Sequence, residues 1–239
     1  MMAEKWRFLN TGSNTAYDNM AVDRAIMAAC SENKVPPTVR FYSWTPAAIS
    51  IGYFQSLEEE VDVEKCSQRG IDFVRRITGG GAVFHEDELT YSIIIPESHD
   101  EIPGDILGSY KRICGALMKG FDCMDVSCEY RPINDILVDG KKISGNAQTR
   151  QKKTVLQHGT ILLDVDVEKM FSLLKIPSEK TKDKLIKNVK ESVTSLTHVF
   201  NKKIYFEDAV EDMKKGFEKE FNIKLKKGSL SDYEKKLAE

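Results

Sequence analysis

Cysteine is scarce in this 239-residue sequence and falls in no motif. The five residues Cys30, Cys66, Cys114, Cys123 and Cys128 are odd in number and include no Cys-x-x-Cys pair, which speaks against a disulfide framework and against a zinc site. Histidine is scarcer still: His85, His99, His158 and His198 show no ligand spacing such as His-x-x-x-His, so no metal held by protein alone is expected. No apolar run is long enough to span a bilayer and the N-terminus has no signal-peptide core, so a cytoplasmic protein without a membrane partner is expected. Charge of one sign is also missing. With 35 Lys and Arg against 37 Asp and Glu, the net charge of −2 carries no nucleic-acid footprint. The late lysines Lys180, Lys182, Lys184, Lys187 and Lys190 alternate with Glu and Asp and read as a solvated helical face. A Gly-x-x-x-x-Gly-Lys-Ser/Thr phosphate loop is absent, as are repeats, low-complexity tracts and glycine/serine linkers.

What is present reads as strands over the first two thirds and helices over the last. A helix is expected over Ala16–Cys30 behind an Asn14 cap, then a strand pair, Val39–Trp44 and Ala48–Tyr53, around Thr45-Pro46. A short helix over Val61–Arg69 stops at Gly70, and Ile71–Arg75 and Leu89–Ile95 are strands. Ile106–Phe121 has helical periodicity. Ile133–Val138 and Lys142–Ala147 form a hairpin turned by Asp139-Gly140, and Thr154–Leu163 is a further strand. Glu168–Leu174, Ser178–Val189 and Glu207–Phe221 look helical. This order predicts an α+β fold, a mixed or antiparallel sheet core with packed helices in one domain over 1–239.

The stretch Arg75-Arg76-Ile77-Thr78-Gly79-Gly80-Gly81-Ala82-Val83-Phe84-His85 stands out. Three glycines would be wasteful inside a helix or strand, but they permit positive φ and let a ligand approach bare backbone N–H groups. Arginine beside such a loop suggests an anion, because its donor fork matches phosphate or carboxylate. Alone, the segment is equally a turn between strands with a surface arginine pair. The glycines lie between two strands, unlike the P-loop and the dinucleotide fingerprint, where a helix follows at once.

A second constellation begins at Asn134-Asp135 and runs through Gly140-Lys141-Lys142-Ile143-Ser144-Gly145-Asn146-Ala147-Gln148. Lys142, Ser144, Asn146 and Gln148 share strand parity, which predicts one polar face, whether functional or merely solvated. Gln157-His158-Gly159-Thr160 then leads into an apolar strand, where a lone histidine is commonly structural.

Together these segments resemble the lipoate-protein ligase A family of the biotin/lipoate ligase and transferase superfamily. The glycine loop resembles its lipoate-binding motif, Gly-Lys-Lys-Ile-Ser-Gly-Asn-Ala its catalytic lysine hairpin, and Gln-His-Gly-Thr-Ile-Leu the strand that follows. Arg40-Phe41-Tyr42 and Ile51-Gly52-Tyr53-Phe54-Gln55 fit its pocket-lining strand pair, and the likeness runs from about Trp6 to Phe221. The resemblance implies ATP-dependent activation of lipoate to lipoyl-AMP, with magnesium accompanying ATP. The lipoyl group then passes to one lysine of an acceptor, a 2-oxoacid dehydrogenase lipoyl domain or the glycine-cleavage H protein. Activation answers a physical need, since a carboxylate is a poor electrophile and a lysine of pKa ~10.4 is only about 0.04% neutral at pH 7.

By the resemblance Lys142 is the catalytic lysine. Gly79, Gly80, Gly81, Ala82 and Val83 approach the adenylate, Arg75 and Arg76 sit at its acyl-phosphate end, and Asn134 and Asp135 order its other side. Tyr42, Gly52, Tyr53 and Phe54 wall the acyl tunnel, while His85, His158, Gly159, Ser144, Gly145 and Ala147 shape the pocket. Two departures stand out: Glu86 replaces the usual Asp after the loop histidine, and the match uses nearly the whole chain, leaving no room for the C-terminal accessory domain of full ligases. A ligase with a separate accessory subunit is therefore expected. The alternatives are an octanoyltransferase of the same superfamily, moving octanoyl from acyl carrier protein with Cys128 as nucleophile, and a non-catalytic lipoate- or adenylate-binding module.

Overall fold

A run of β-branched and aromatic residues from Glu88 to Pro96 forms a central strand whose alternation sets the two faces of the principal sheet. The computed structural model describes residues 3–176 and 178–239. In chain order the elements are β1 (Glu4–Asn14), α1 (Ala16–Ser31), β2 (Thr38–Trp44), β3 (Ala48–Ile51), α2 (Leu57–Glu60), α3 (Val63–Gln68), β4 (Asp72–Arg75), β5 (Val83–His85) and β6 (Glu88–Pro96). There follow α4 (Ile106–Cys123), β7 (Glu129–Arg131), β8 (Asp135–Val138), β9 (Lys141–Gln151) and β10 (Thr154–Leu162). The chain continues with α5 (Val167–Leu173), α6 (Glu179–Ser192), α7 (Leu196–Phe200), α8 (Phe206–Phe221), β11 (Ile223–Lys227) and α9 (Asp232–Ala238).

The principal sheet has the order β11-β1-β2-β6-β10-β9-β8-β7, and a small sheet the order β4-β3-β5. Strand β1 runs parallel to β2 and β11, whereas β2, β6, β10, β9, β8 and β7 pair antiparallel, as the α+β expectation required. Leu89, Tyr91, Ile93 and Ile95 of β6 enter one large core with Phe41, Ile113, Leu117 and Phe217, between the sheet and helices α4 and α8. On the other face Ile94 packs with Ile26 and Met27 of α1. Among the described residues no helix is long and apolar enough to cross a membrane.

One expected pairing is corrected. Strands β2 and β3 do not pair with each other: β2 joins the principal sheet and β3 the centre of the small one. The two strands expected around the triple glycine, Ile71–Arg75 and Leu89–Ile95, fall in different sheets, because β4 pairs parallel with β3, while β6, with both faces buried, inserts between β2 and β10. The unforeseen strand β5 lies between them and pairs with β3, so the glycine loop connects the two outer strands of the small sheet, β4 and β5. The cap of α1 also moves by one residue, to Thr15, which accepts from the Asp18 N–H.

Helices α4 and α8 meet backbone to backbone. A Cβ built on Gly216 would stand 2.3 Å from the Ala116 carbonyl oxygen and 2.4 Å from the Gly120 nitrogen. Gly216→Ala therefore forces the helices apart and is expected to destabilise the protein by about 1–3 kcal/mol. Thermal unfolding of the variant checks this; an unchanged Tm would contradict the close packing.

Candidate active site

The two sheets face each other across a cavity of about 480 Å³. Tyr42, Trp44, Thr90, His158 and Thr160 line it from the principal sheet, and Ser50, Arg76 and the glycine loop from the small sheet. Tyr110 of α4, Met170 of α5, Val189 of α6 and Val193 just beyond it complete the wall.

The loop is held by the arginines that precede it. Buried Arg76 donates through Nη2 to the carbonyls of Gly79 (2.9 Å) and Gly81 (2.7 Å), and through Nη1 to the carbonyl and hydroxyl of Ser50, both at 3.0 Å. It makes no ion pair among the described residues, and burial lowers its pKa to about 10. Exposed Arg75 donates to the carbonyls of Gly52, Tyr53 and Gln55 at 3.2, 2.9 and 2.5 Å. Both arginines thus brace backbone carbonyls around the loop, and Arg76 the Ser50 hydroxyl as well. Gly52 is required here, because a Cβ on it would lie 1.9 Å from the Gly80 oxygen, and Gly80 itself sits at φ +100°. The loop's other anchor is Thr78, whose hydroxyl meets His158 Nε2 at 2.7 Å.

Lys142 reaches the cavity by a route its parity did not reveal. In the β8–β9 ladder Leu137 faces Lys142 and Ile136 faces Ser144, so Ile143 is an extra, bulged residue. The bulge separates Lys142 from the alternation that follows. Its side chain lies over Gly145, where a Cβ would meet Nζ at 2.7 Å. Nζ pairs with Asp135 Oδ1 at 2.7 Å, and Asp135 Oδ2 accepts from Arg131 at 2.6 Å. Burial raises the Asp135 pKa, but bonds from Lys142 and Arg131 outweigh it and hold the carboxyl below its ordinary value.

The predicted polar face of β9 is corrected in turn. Asn146 accepts from the Tyr91 hydroxyl at 2.7 Å, Gln157 donates to that hydroxyl at 2.7 Å, and Gln148 donates to Gln157 at 3.0 Å. These side chains form a buried polar ladder on the α4 side. Gly159 makes room for it, since a Cβ there would lie 2.2 Å from Asn146 Oδ1.

Behind the cavity lies a buried charge cluster. Asp23 of α1 accepts from Arg40 Nη1 at 2.7 Å, Ser92 at 2.9 Å and Tyr42 at 3.1 Å, and stands 3.5 Å from His158 Nδ1. Burial raises the Asp23 pKa, yet Arg40 and His158 outweigh it and the carboxyl stays below its ordinary value. For His158 burial dominates, aided by the charge of Arg76, and the imidazole is held below the usual histidine range despite Asp23.

Most of the singled-out residues converge on this cavity: Lys142, Arg76, Tyr42, His85, His158, Asn134, Gly79 to Val83, Gly145, Ala147 and Gly159 all line it. Arg75, Gly52, Tyr53, Asp135, Ser144 and Cys128 are not among its lining residues. Phe54 points away, 91% exposed. Cys128 is half-buried against the large core, and burial pushes its thiol up to about 12. Glu86 reaches Lys169 of α5 in an ion pair. Sequence reasoning missed Ser50, Thr78, Trp44 and Glu88. The signal for Ser50 was a hydroxyl in the otherwise apolar strand Ala48-Ile49-Ser50-Ile51.

Comparison with known proteins fits this geometry. The model of the lipoyl protein ligase A/B catalytic domain matches residues 15–218. An octanoyltransferase LipM of Brevibacillus brevis is 40% identical, over 99% of this chain and 94% of its own length. The Bacillus subtilis LipM is 36% identical, over 98% and 92%. Among solved structures, the bipartite lipoate protein ligase of Thermoplasma acidophilum, studied with its E2 lipoyl domain, superposes with a TM-score of 0.88 at 27% identity, covering 98% of this chain and 91% of that one. A lipoate-protein ligase A bound with ATP gives 0.81 at 26%, covering 100% and 93%. The protein is thus an enzyme of the lipoate ligase and transferase superfamily. The relatives named octanoyltransferase overturn the expectation of an ATP-dependent ligase completed by an accessory subunit. They likewise leave ATP and magnesium without support.

Because the folded pKa of His158 lies below its ordinary 6.5, the unfolded chain takes up the proton first as pH falls. The stability linked to His158 is complete above that value and is lost as pH drops below it. The stability linked to Asp23 is lost only further down, below its ordinary 3.8. Urea midpoints are expected to fall as pH drops below about 6.5, and His158→Gln to flatten that decline while sparing the loss below about pH 4. Parallel wild-type and variant curves would contradict the assignment.

Proposed function

The chain belongs to the lipoyl protein ligase A/B catalytic-domain family, and within it we propose that the protein is an octanoyltransferase, moving an octanoyl group from a carrier-protein thioester to a lysine of an acceptor lipoyl domain. The observation that carries this reading is the set of octanoyltransferase relatives, at 36–40% identity over nearly the whole chain. The site supports it chemically. A thioester carbonyl is already an electrophile, so the reaction needs no polyphosphate clamp. It needs an apolar chamber for the chain, a donor for the developing oxyanion and a nucleophile. Val83, Met170, Val189 and Val193 supply apolar wall, and Lys142 Nζ a cationic donor that strengthens in the transition state. The 2-oxoacid dehydrogenase lipoyl domains and the glycine-cleavage H protein are the proposed acceptors.

Cys128 is the proposed nucleophile. Its thiolate attacks the donor carbonyl, the carrier thiol leaves with a proton, and the acceptor amine then displaces the cysteine and gives up its own proton. In the structure the thiol rests outside the cavity. The next residue, Glu129, pairs with Leu137, and Leu137 with Lys142. Two strand spacings therefore separate its backbone from that of Lys142, about 10 Å. Strand β7 is a three-residue edge strand, held on one side only. Its release would carry the thiol toward the Lys142 ammonium, which favours the thiolate.

Intact mass spectrometry of a lipoyl domain incubated with the protein and octanoyl-acyl carrier protein, without ATP, tests this. Octanoylation of the acceptor and an octanoyl adduct on the enzyme are expected, with the adduct lost in Cys128→Ala. Lys142→Ala is expected to lower kcat by about 10²–10³, the scale of removing one oxyanion donor. Acceptor modification only with lipoate plus ATP would sink the reading.

A further inference from the structure

A second set of reactive groups lines the same cavity and is used by none of the steps above. Ser50 Oγ lies 2.7 Å from His85 Nε2, and His85 Nδ1 lies 2.8 Å from Glu88 Oε1. All three residues are nearly inaccessible to bulk solvent, at 1%, 5% and 2% exposure, while Ser50 and His85 open onto the cavity. The arrangement follows from the small sheet. Ala48 faces His85 and Ser50 faces Val83 across the β3–β5 ladder, so Ser50 and His85 are diagonal neighbours on one face. Glu88 arrives three residues later, at the start of β6.

The partners of Glu88 settle the proton positions. The same Oε1 accepts from the Trp44 indole N–H at 3.0 Å and from the Thr90 hydroxyl. Indole is only ever a donor, and a carboxylate oxygen ringed by donors is acceptor-only. A His85 proton therefore sits on Nδ1, facing Glu88, and in the neutral ring that tautomer turns the Nε2 lone pair to the Ser50 hydroxyl. Trp44 stacks on the imidazole at 4.1 Å with a 15° interplanar angle and fixes its plane. Arg76 Nη1 donates to Ser50 Oγ at 3.0 Å, so a buried cation that makes no ion pair among the described residues stands beside the attacking oxygen. A network kept only for packing would need neither the ordered base nor the cation at the hydroxyl.

We propose that Ser50, His85 and Glu88 form a nucleophilic triad that gives the cavity an esterase and thioesterase activity toward medium-chain acyl groups. Ser50 Oγ attacks the acyl carbonyl and its proton passes to His85 Nε2. The leaving alcohol or thiol departs with that proton, leaving an acyl ester on Ser50. Water then attacks the ester, gives its proton to His85, and releases the fatty acid with the serine restored. Apart from sharing the cavity, the triad does not rest on the transferase reading.

An alkyl fluorophosphonate and p-nitrophenyl octanoate, applied to the full chain, test it. Wild-type protein is expected to form a phosphonyl–oxygen bond with loss of fluoride, and peptide mapping to place the adduct on Ser50. Ser50→Ala is expected to lower ester hydrolysis at least about 100-fold, and Glu88→Gln at least about tenfold. Should either variant fail to fold by circular dichroism, the wild-type adduct decides alone. Absence of an adduct on Ser50, or hydrolysis by folded Ser50→Ala at the wild-type rate, overturns the triad. Parallel octanoylation of a lipoyl domain separates the two readings. Labelling of Ser50 without acceptor transfer supports the triad and removes the transferase, whereas transfer without labelling keeps the transferase and overturns the triad.

Discussion

The buried carboxylate of Asp23 is the interaction on which the site depends. It sits on α1 yet binds side chains from three strands of the principal sheet: Arg40 and Tyr42 on β2, Ser92 on β6 and His158 on β10. Arg40 spends its remaining donors on Asn19 and Thr11, so the pair is enclosed and hydrogen-bonded on every side. Removing one partner of such a pair leaves the other buried and uncompensated, at a cost of about 3–5 kcal/mol. The pair therefore acts less as a source of stability than as a constraint on geometry. It orients His158, whose pKa burial lowers despite the carboxylate, and His158 holds Thr78, the residue that begins the glycine loop.

From Thr78 the same logic passes to the small sheet. Arg76 grips the loop by two carbonyls and Ser50 by two oxygens, so the loop and strand β3 move as one piece. Gly52 and Gly80 touch so closely that no side chain fits between them. The cavity is then a gap between two rigid walls, one tied through His158 and the other through Arg76. Helix α6, whose Val189 meets the cavity, is the less enclosed element of the wall, with much of its surface in solvent.

Much of this was legible in the sequence, and for local reasons. Triple glycine and Asp139-Gly140 are turn chemistry, and turn chemistry survives any tertiary context, so the loop and the lysine hairpin were found where they lie. The β-branched run over Leu89–Ile95 named a strand. Four things were hidden, most of them because they are decided at a distance. Arginine donors look the same in sequence whether they meet a phosphate or a carbonyl, and here they meet carbonyls. The facing of Lys142 depends on a bulge at Ile143, which inverts parity without any glycine to announce it. Strands β1 and β11 escaped notice, although Ile223 and Leu225 alternate with exposed Lys224 and Lys226 in β11. Two charged partners of the cavity, Asp23 and Glu88, lie in a helix and at a strand start where a carboxylate ordinarily faces water.

One fold carries ligases and transferases, and the state of the donor carbonyl explains what must differ between them. Activating a free carboxylate places several phosphate charges in the site, which calls for uncommitted cations. Here Arg40 pairs with Asp23 and Arg131 with Asp135, while Arg75 holds backbone carbonyls through Nη1 and Arg76 holds backbone carbonyls and the Ser50 hydroxyl. Lys142 remains the lysine that lines the cavity, and even it is shared with Asp135. That inventory suits a single developing oxyanion, which a thioester donor creates, better than a polyphosphate.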